Sequence, residues 1–266
     1  MKTRIISAIV LLAIFIPALI TGGIFYTSLM LLAALFGLYE LLNIRKTRKE
    51  FPIFVELFAY LLVGFLTISN TTSNNLTYLM DYRMMACLIF LFLSPIVFIN
   101  DSKRYNLNDA LFLIGATLFI GLSFNLLILI RNYSISAIIY LFIITIMTDT
   151  FAYVTGRHIG KYKLIEKISP NKTVEGLIGG TLMGTFAGSV FYHIVISPSL
   201  NIGIVIFVSF VLSLIGQLGD LIFSAIKRYY DKKDFSNIIP GHGGILDRLD
   251  SIIFVVLAYL LFLAIL

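Results

Sequence analysis

The chain has 266 residues, 59% of them hydrophobic and 13% charged, with a mean hydropathy of +0.98. That is about half the charge of a water-soluble domain of similar size, so a water-facing fold is excluded and the chain is read as an integral membrane protein. The net charge of +6 and the pI near 9.3 come without a long basic run or a basic helix, so no nucleic-acid partner is expected. Basic loops beside anionic lipid headgroups account for the excess.

Apolar segments of about 20 residues, enough to cross a hydrocarbon core, can be placed nine times. They fall at roughly 5–22, 24–43, 52–69, 83–99, 109–130, 133–155, 174–196, 202–226 and 249–266. Continuous rather than alternating apolar character makes them helices. The expected fold is all-α, a polytopic membrane protein read as one domain, with helices 1–5 in 1–132 and helices 6–9 with their cytoplasmic loops in 133–266. The first segment follows Lys2 and Arg4 and is too long for a signal-peptide core, so it is read as a retained helix.

Nine spans put 18 of the 20 Lys and Arg residues on the side of the N-terminus and leave Arg83 and Arg131 opposite. The positive-inside rule then places the N-terminus in the cytoplasm and the C-terminus outside. The basic run from Arg45 to Lys49 is read as a topology determinant. The stretch "NTTSNNLT" holds glycosylation-like triplets at Asn70 and Asn75, which such polar loops produce by chance. Cys87, the single cysteine, excludes an intrachain disulfide and a cysteine zinc site, and is expected to be a buried, inert thiol.

Functional groups concentrate at the inner ends of the last four helices, in "TDTFAYVTGRHIGK", "SPNKTVEGLIGG", "GQLGDLIFSAIKR" and "GHGGILDRLDS". An ionised carboxylate facing lipid costs at least about 2.5 kcal/mol. Asp149, Glu175, Asp220, Asp247 and Asp250, all at one membrane level, are therefore expected to face a polar cavity, a cation or one another. Asp220, Ser224 and Lys227 fall on one face of the eighth helix. Several carboxylates without cysteine favour a hard cation, and magnesium fits best, held by one or two carboxylates together with substrate phosphates. Lys172, Lys227, Arg228 and Arg248 can neutralise a polyphosphate, and Gly241, Gly243 and Gly244 permit close backbone approach. The start of the ninth helix adds a partial positive charge. This is a constellation for phosphoryl or nucleotidyl transfer at the headgroup layer.

His193 is expected in the core, His158 in solvent, and His242, flanked by glycines, is the one histidine with a claim to the site. Tyr229 and Tyr230 are read as interfacial anchors. A secondary transporter using Asp149 and Asp220 is the alternative of a different class, although transporter sites usually lie near the bilayer midplane.

The segment from Ser224 to Asp250, "SAIKRYYDKKDFSNIIPGHGGILDRLD", resembles the signature of the phosphatidate cytidylyltransferases, also called CDP-diacylglycerol synthases. Its Ser, Lys-Arg, Lys-Asp, His-Gly-Gly, Asp-Arg and final Asp occur in order, and "TDTFAYVTGRHIGK", "SPNKTVEG" and "GDLIFS" are also similar to the family. Asn171 departs from it, standing where members often carry lysine. The resemblance covers about 141 to 266. It implies transfer of CMP from CTP to phosphatidic acid with magnesium, a monovalent cation such as potassium beside it, and a homodimer. It makes Asp220 and Asp247 the expected metal ligands, and Lys172, Thr173, Glu175, Lys227, Arg228, His242 and Arg248 the expected nucleotide- or phosphate-binding residues. Asp220, Asp247, Lys227 and Arg248 form the expected catalytic set, with Asp149, Ser224, Gly243 and Gly244 joining the substrate-binding residues. The expected setting is a bacterial inner membrane with the site facing the cytoplasm.

Overall fold

The computed structural model describes residues 2–47, 49–69, 82–99 and 101–263, with side chains for all of these except 2–4 and 82–84. The triplets at Asn70 and Asn75, Arg48 of the basic run and the side chain of Arg83 lie outside the described residues. Among the described residues there are nine helices: α1 (Lys2–Thr21), α2 (Gly23–Lys46), α3 (Ile53–Ile68), α4 (Tyr82–Ile99), α5 (Leu107–Tyr133), α6 (Ile135–Ile159), α7 (Val174–Phe191), α8 (Ile202–Tyr229) and α9 (Leu246–Phe262). The all-α architecture therefore stands. Among the described residues, five segments are long and apolar enough to cross a membrane: α2, α5, α6, α8, and α7 continued through a π-helical turn at Tyr192–Ile196.

Two local features depart from the sequence reading. A short antiparallel hairpin, β1 (Lys163–Ile165) with β2 (Ser169–Thr173), occupies what reads as a plain loop. α6 and α8 also run past their expected inner ends, and α9 starts three residues early, at Leu246. Hydropathy marks the apolar stretch, whereas the helix persists as long as its backbone hydrogen bonds do.

The chain divides into two compact units. The first comprises Met1–Tyr133 with Asp234–Leu246, and the second Ser134–Lys233 with Asp247–Leu266.

In the first unit, α5 packs against α2, α3 and α4. Buried Asp109, in the first turn of α5, pairs with both Arg45 and Lys49, and the Arg45 guanidinium lies over the rings of Phe51 and Phe112. The basic run thus carries a packing role as well as its expected topological one. A charge buried this deeply persists only when paired. Next to this clamp the Tyr105 hydroxyl donates to the Phe92 carbonyl, and burial together with the Asp109 charge raises the phenol above its ordinary value. Arg131 donates to the carbonyls of Leu19 and Ile20, capping the end of α1. Cys87 is exposed on α4, which corrects the expectation of a buried thiol. A thiol is a small hydrophobe and needs no polar partner there.

In the second unit α6 and α7 approach closely because α7 carries glycine at every fourth position. A Cβ added to Gly176 or Gly180 would lie 2.7 Å or 2.6 Å from the Ala152 or Thr148 carbonyl oxygen, and one on Gly188 would lie 2.5 Å from the Ile144 side chain. Small residues in one stripe let helix backbones meet without a hydrophobic driving force between them. α8 answers with a polar ladder: Ser209 hydrogen bonds Tyr140 at 2.8 Å, Ser213 bonds Thr148 at 2.7 Å, and Gln217 donates to Thr181 at 2.8 Å. Each such bond between membrane helices is worth about 0.6 kcal/mol. α9 seats on α8 at Gly216 and Gly219, where added Cβ atoms would meet Val255 at 3.0 Å and Phe254 at 2.7 Å. The same face of α8 that carries the ladder leads inward to Asp220.

Candidate active site

Within the second unit these helices enclose a cleft of about 540 Å³. α6 lines it with Asp149, Tyr153 and Arg157, three residues spaced four apart and so on one face. Strand β2 brings Asn171, Lys172 and Thr173; α8 brings Gln217 and Asp220; the first turns of α9 bring Asp247, Arg248 and Asp250. Four aspartates and three cationic side chains thus share one small volume.

Their charges are arranged in pairs. Lys172 Nζ lies 2.6 Å from Asp220 Oδ2, with both side chains about a quarter exposed. Lys227 Nζ lies 2.6 Å from Asp247 Oδ1, and here both are nearly buried. Ser224 Oγ donates to Asp220 Oδ1 at 3.4 Å. Among the described residues neither Asp149 nor Asp250 has a salt bridge; Asp149 is exposed, and Asp250 Oδ1 accepts from the Ser251 backbone N–H at 2.8 Å. Thr173 is the N-cap of α7, its hydroxyl accepting from Gly176 N–H at 3.1 Å, so the positive end of that helix also opens on the cleft.

The donor set is oxygen throughout. Among the described residues no three His, Cys, Asp or Glu side chains converge closely enough to form a closed metal site. A magnesium ion does not require one, because it keeps waters and takes one or two carboxylates plus the phosphates of its substrate. The residues present fit that kind of ion.

Of the residues singled out in the sequence, Asp149, Lys172, Thr173, Asp220, Asp247 and Arg248 line the cleft. Ser224 and Lys227 stand behind it, each bonded to one of its aspartates. Glu175 accepts from the Tyr162 N–H at 3.3 Å and so serves the hairpin, while Arg228 donates to the carbonyls of Ile168 and Lys232. His242, Gly243 and Gly244 belong to the first unit. There His242 Nδ1 hydrogen bonds Ser7 Oγ at 2.7 Å, Ser7 also donates to the Pro240 carbonyl, and Gly243 pairs with Ile239 in a β-bridge. Positive φ at Gly241 and Gly243, +78° and +86°, makes this tight turn possible. His158 is exposed and bonded to the Val154 carbonyl, as a solvated residue should be. Tyr229 is exposed, but Tyr230 is buried, so only the first can act as an interfacial anchor.

Tyr153, Gln217 and Arg157, the last read from the sequence only as one of the basic residues that set topology, also line the cleft. Helical spacing from Asp149 and Asp220 was the signal that could have found them. Asn171 lines the cleft despite its departure from the resembled pattern.

A polytopic membrane protein whose helix ends gather acidic and basic groups around such a cleft is a membrane enzyme in its build. The model of the cytidylyltransferase family matches residues 2–266. A phosphatidate cytidylyltransferase of Staphylococcus haemolyticus is 37% identical over 259 residues, covering 96% of each chain. Proteins of the same name from Staphylococcus epidermidis and Staphylococcus aureus are each 35% identical over 256 residues, again covering 96% of each chain. The chain belongs to the cytidylyltransferase family.

Proposed function

We propose that this chain transfers CMP from CTP to phosphatidic acid, giving CDP-diacylglycerol and pyrophosphate in phospholipid biosynthesis. The observation that carries the reading is the cleft itself, where Asp149, Asp220, Asp247 and Asp250 meet Arg157, Lys172 and Arg248 at the ends of apolar helices. A phosphate oxygen of phosphatidate attacks the α-phosphorus of CTP. The new P–O bond forms as the bond to the bridging oxygen of the β-phosphate breaks, and pyrophosphate departs with that electron pair. The nucleophile is already an anion, so no general base is needed, and two anionic groups must be brought together in line.

Lys172, Arg157 and Arg248 offset the repulsion between the phosphates, and the N-terminus of α7 adds its partial positive charge. Asp220 and Asp247 would hold magnesium, which when bound neutralises phosphate charge on the α-phosphorus and the leaving group. Lys227 pairs with Asp247 and holds its carboxylate in place at the cleft. A monovalent cation such as potassium beside the magnesium, and a homodimer, complete the reading.

The distribution of basic residues supports nine spans with the N-terminus in the cytoplasm, the C-terminus outside, and the cleft facing the cytoplasm of a bacterial inner membrane. CTP then reaches the cleft from the cytoplasm and the lipid from the adjoining leaflet. Purified protein given labelled CTP and phosphatidic acid is expected to form labelled CDP-diacylglycerol with magnesium and none with a chelator. Absence of product with every divalent cation overturns the reading and favours an ion-coupled transporter.

A further inference from the structure

The first five helices carry no chemistry in the proposed reaction, yet α2 holds a fully buried carboxylate, Glu40, with no exposed surface. Its Oε1 accepts from the Ser236 hydroxyl at 2.6 Å and from Ile245 N–H at 2.8 Å, and its Oε2 accepts from Leu246 N–H at 2.8 Å. The first N–H groups of a helix lack partners within it and are usually met by a side chain two or three residues earlier. Ile245, the residue before α9, has no acceptor to offer. Glu40 supplies one from about 200 positions away in the chain, and as an anion it also complements the positive end of α9.

The surrounding residues are shaped to this contact. A Cβ on Gly244 would lie 2.4 Å from Glu40 Oε1, so a bare backbone at 244 is what lets the carboxylate reach the two N–H groups beyond it. One turn earlier on α2, Gly37 leaves room for the buried Leu246 side chain, whose Cδ2 would sit 3.1 Å from an added Cβ. The glycine at 244 thus accommodates an internal carboxylate.

We infer that Glu40 is a positioning residue. It fixes the backbone from Ser236 to Leu246 and, through the peptide links that follow, the first turn of α9 that carries Asp247 and Arg248. The Ser236 hydroxyl and the Ile245 and Leu246 N–H groups all donate to Glu40, so an ionised carboxylate satisfies them and an amide of the same shape turns one NH2 against a donor. This role rests on the CMP-transfer reading of the cleft.

Glu40→Gln separates the possibilities. Hydrogen exchange of the peptide covering residues 236–248 is expected to rise about tenfold, as an uncapped helix end frays. In the folded fraction kcat is expected to fall by about a hundredfold, the scale of an ångström-sized misplacement, with KM for phosphatidate changed less than about twofold. Glu40→Asp and Gly244→Ala disturb the same contact and replace Glu40→Gln if that variant fails to fold; Glu56→Gln, which removes only a surface partner of Lys46, serves as the control expected to behave as wild type. Unchanged exchange, or raised exchange with unchanged kcat, overturns the inference. If the wild-type chain itself forms no CDP-diacylglycerol, the functional reading fails, while the exchange measurement still reports on the Glu40 contact.

Discussion

Lys227 Nζ lies 2.6 Å from Asp247 Oδ1, joining the C-terminal end of α8 to the first turn of α9, with both side chains almost wholly withdrawn from solvent. Breaking a buried pair from one side leaves an uncompensated charge, which costs about 3–5 kcal/mol. Lys227→Ala is therefore expected to lower the melting temperature in detergent sharply and to abolish turnover. The double variant Lys227→Met with Asp247→Leu is expected to recover the melting temperature while remaining inactive. Recovery of activity in the double variant would remove Asp247 from the catalytic set.

The Lys172–Asp220 pair differs because its side chains are about a quarter exposed. Pairs of that kind contribute at most about 1 kcal/mol to stability. Asp220→Asn should then leave the melting temperature nearly unchanged and reduce kcat by more than about a hundredfold, the loss expected on removing charge stabilisation from a transfer site. Full activity in this variant excludes Asp220 as an essential ligand.

The glycine stripe on α7 leads to a prediction about packing alone. At Gly180 a new Cβ would lie 2.6 Å from the Thr148 backbone oxygen, which cannot move without moving α6. Gly180→Ala is expected to cost about 2 kcal/mol, within the range of overpacked cores. Gly115→Ala in α5 meets nothing within 4 Å and is expected to be neutral or stabilising by up to about 1 kcal/mol through helix propensity. Chemical or thermal unfolding of the two variants side by side checks both signs.

Asp109 anchors Arg45 and Lys49 well away from any proposed chemistry. Asp109→Asn should destabilise the first unit by about 3 kcal/mol, because it leaves the two cations without their buried counter-charge. Specific activity per folded molecule is expected to stay at the wild-type level, measured after removal of aggregate.

Much of the candidate site was legible in the sequence because charged groups within apolar helices stand out against their background. Membrane level singles out Asp149, Asp220, Asp247 and Asp250, with Lys172 and Arg248 as cations beside them, and the structure brings these six into one cleft, whereas Glu175, at the same level, bonds Tyr162 instead. Helical spacing likewise put Asp220 and Ser224 on one face, where they are hydrogen bonded. The hairpin was not legible. Strands of three and five residues lack the length for an alternating pattern, and Lys163–Thr173 pairs through its backbone rather than through a hydrophobic face.

The sequence by itself determined the membrane class, the helical build and the family signature, since these depend on composition and order along the chain. Only the tertiary structure decided which polar residues share a volume. His242 to Gly244 sit in the same signature as Asp247 and Arg248, yet they form a turn of their own against Ser7 and Glu40. Glu40 stands near the end of an apolar segment, and nothing in its spacing sets it apart. Ser236, Ile245 and Leu246, which donate to it, lie about 200 residues away, and a hydrogen bond made across that separation leaves no periodic trace in the chain that makes it.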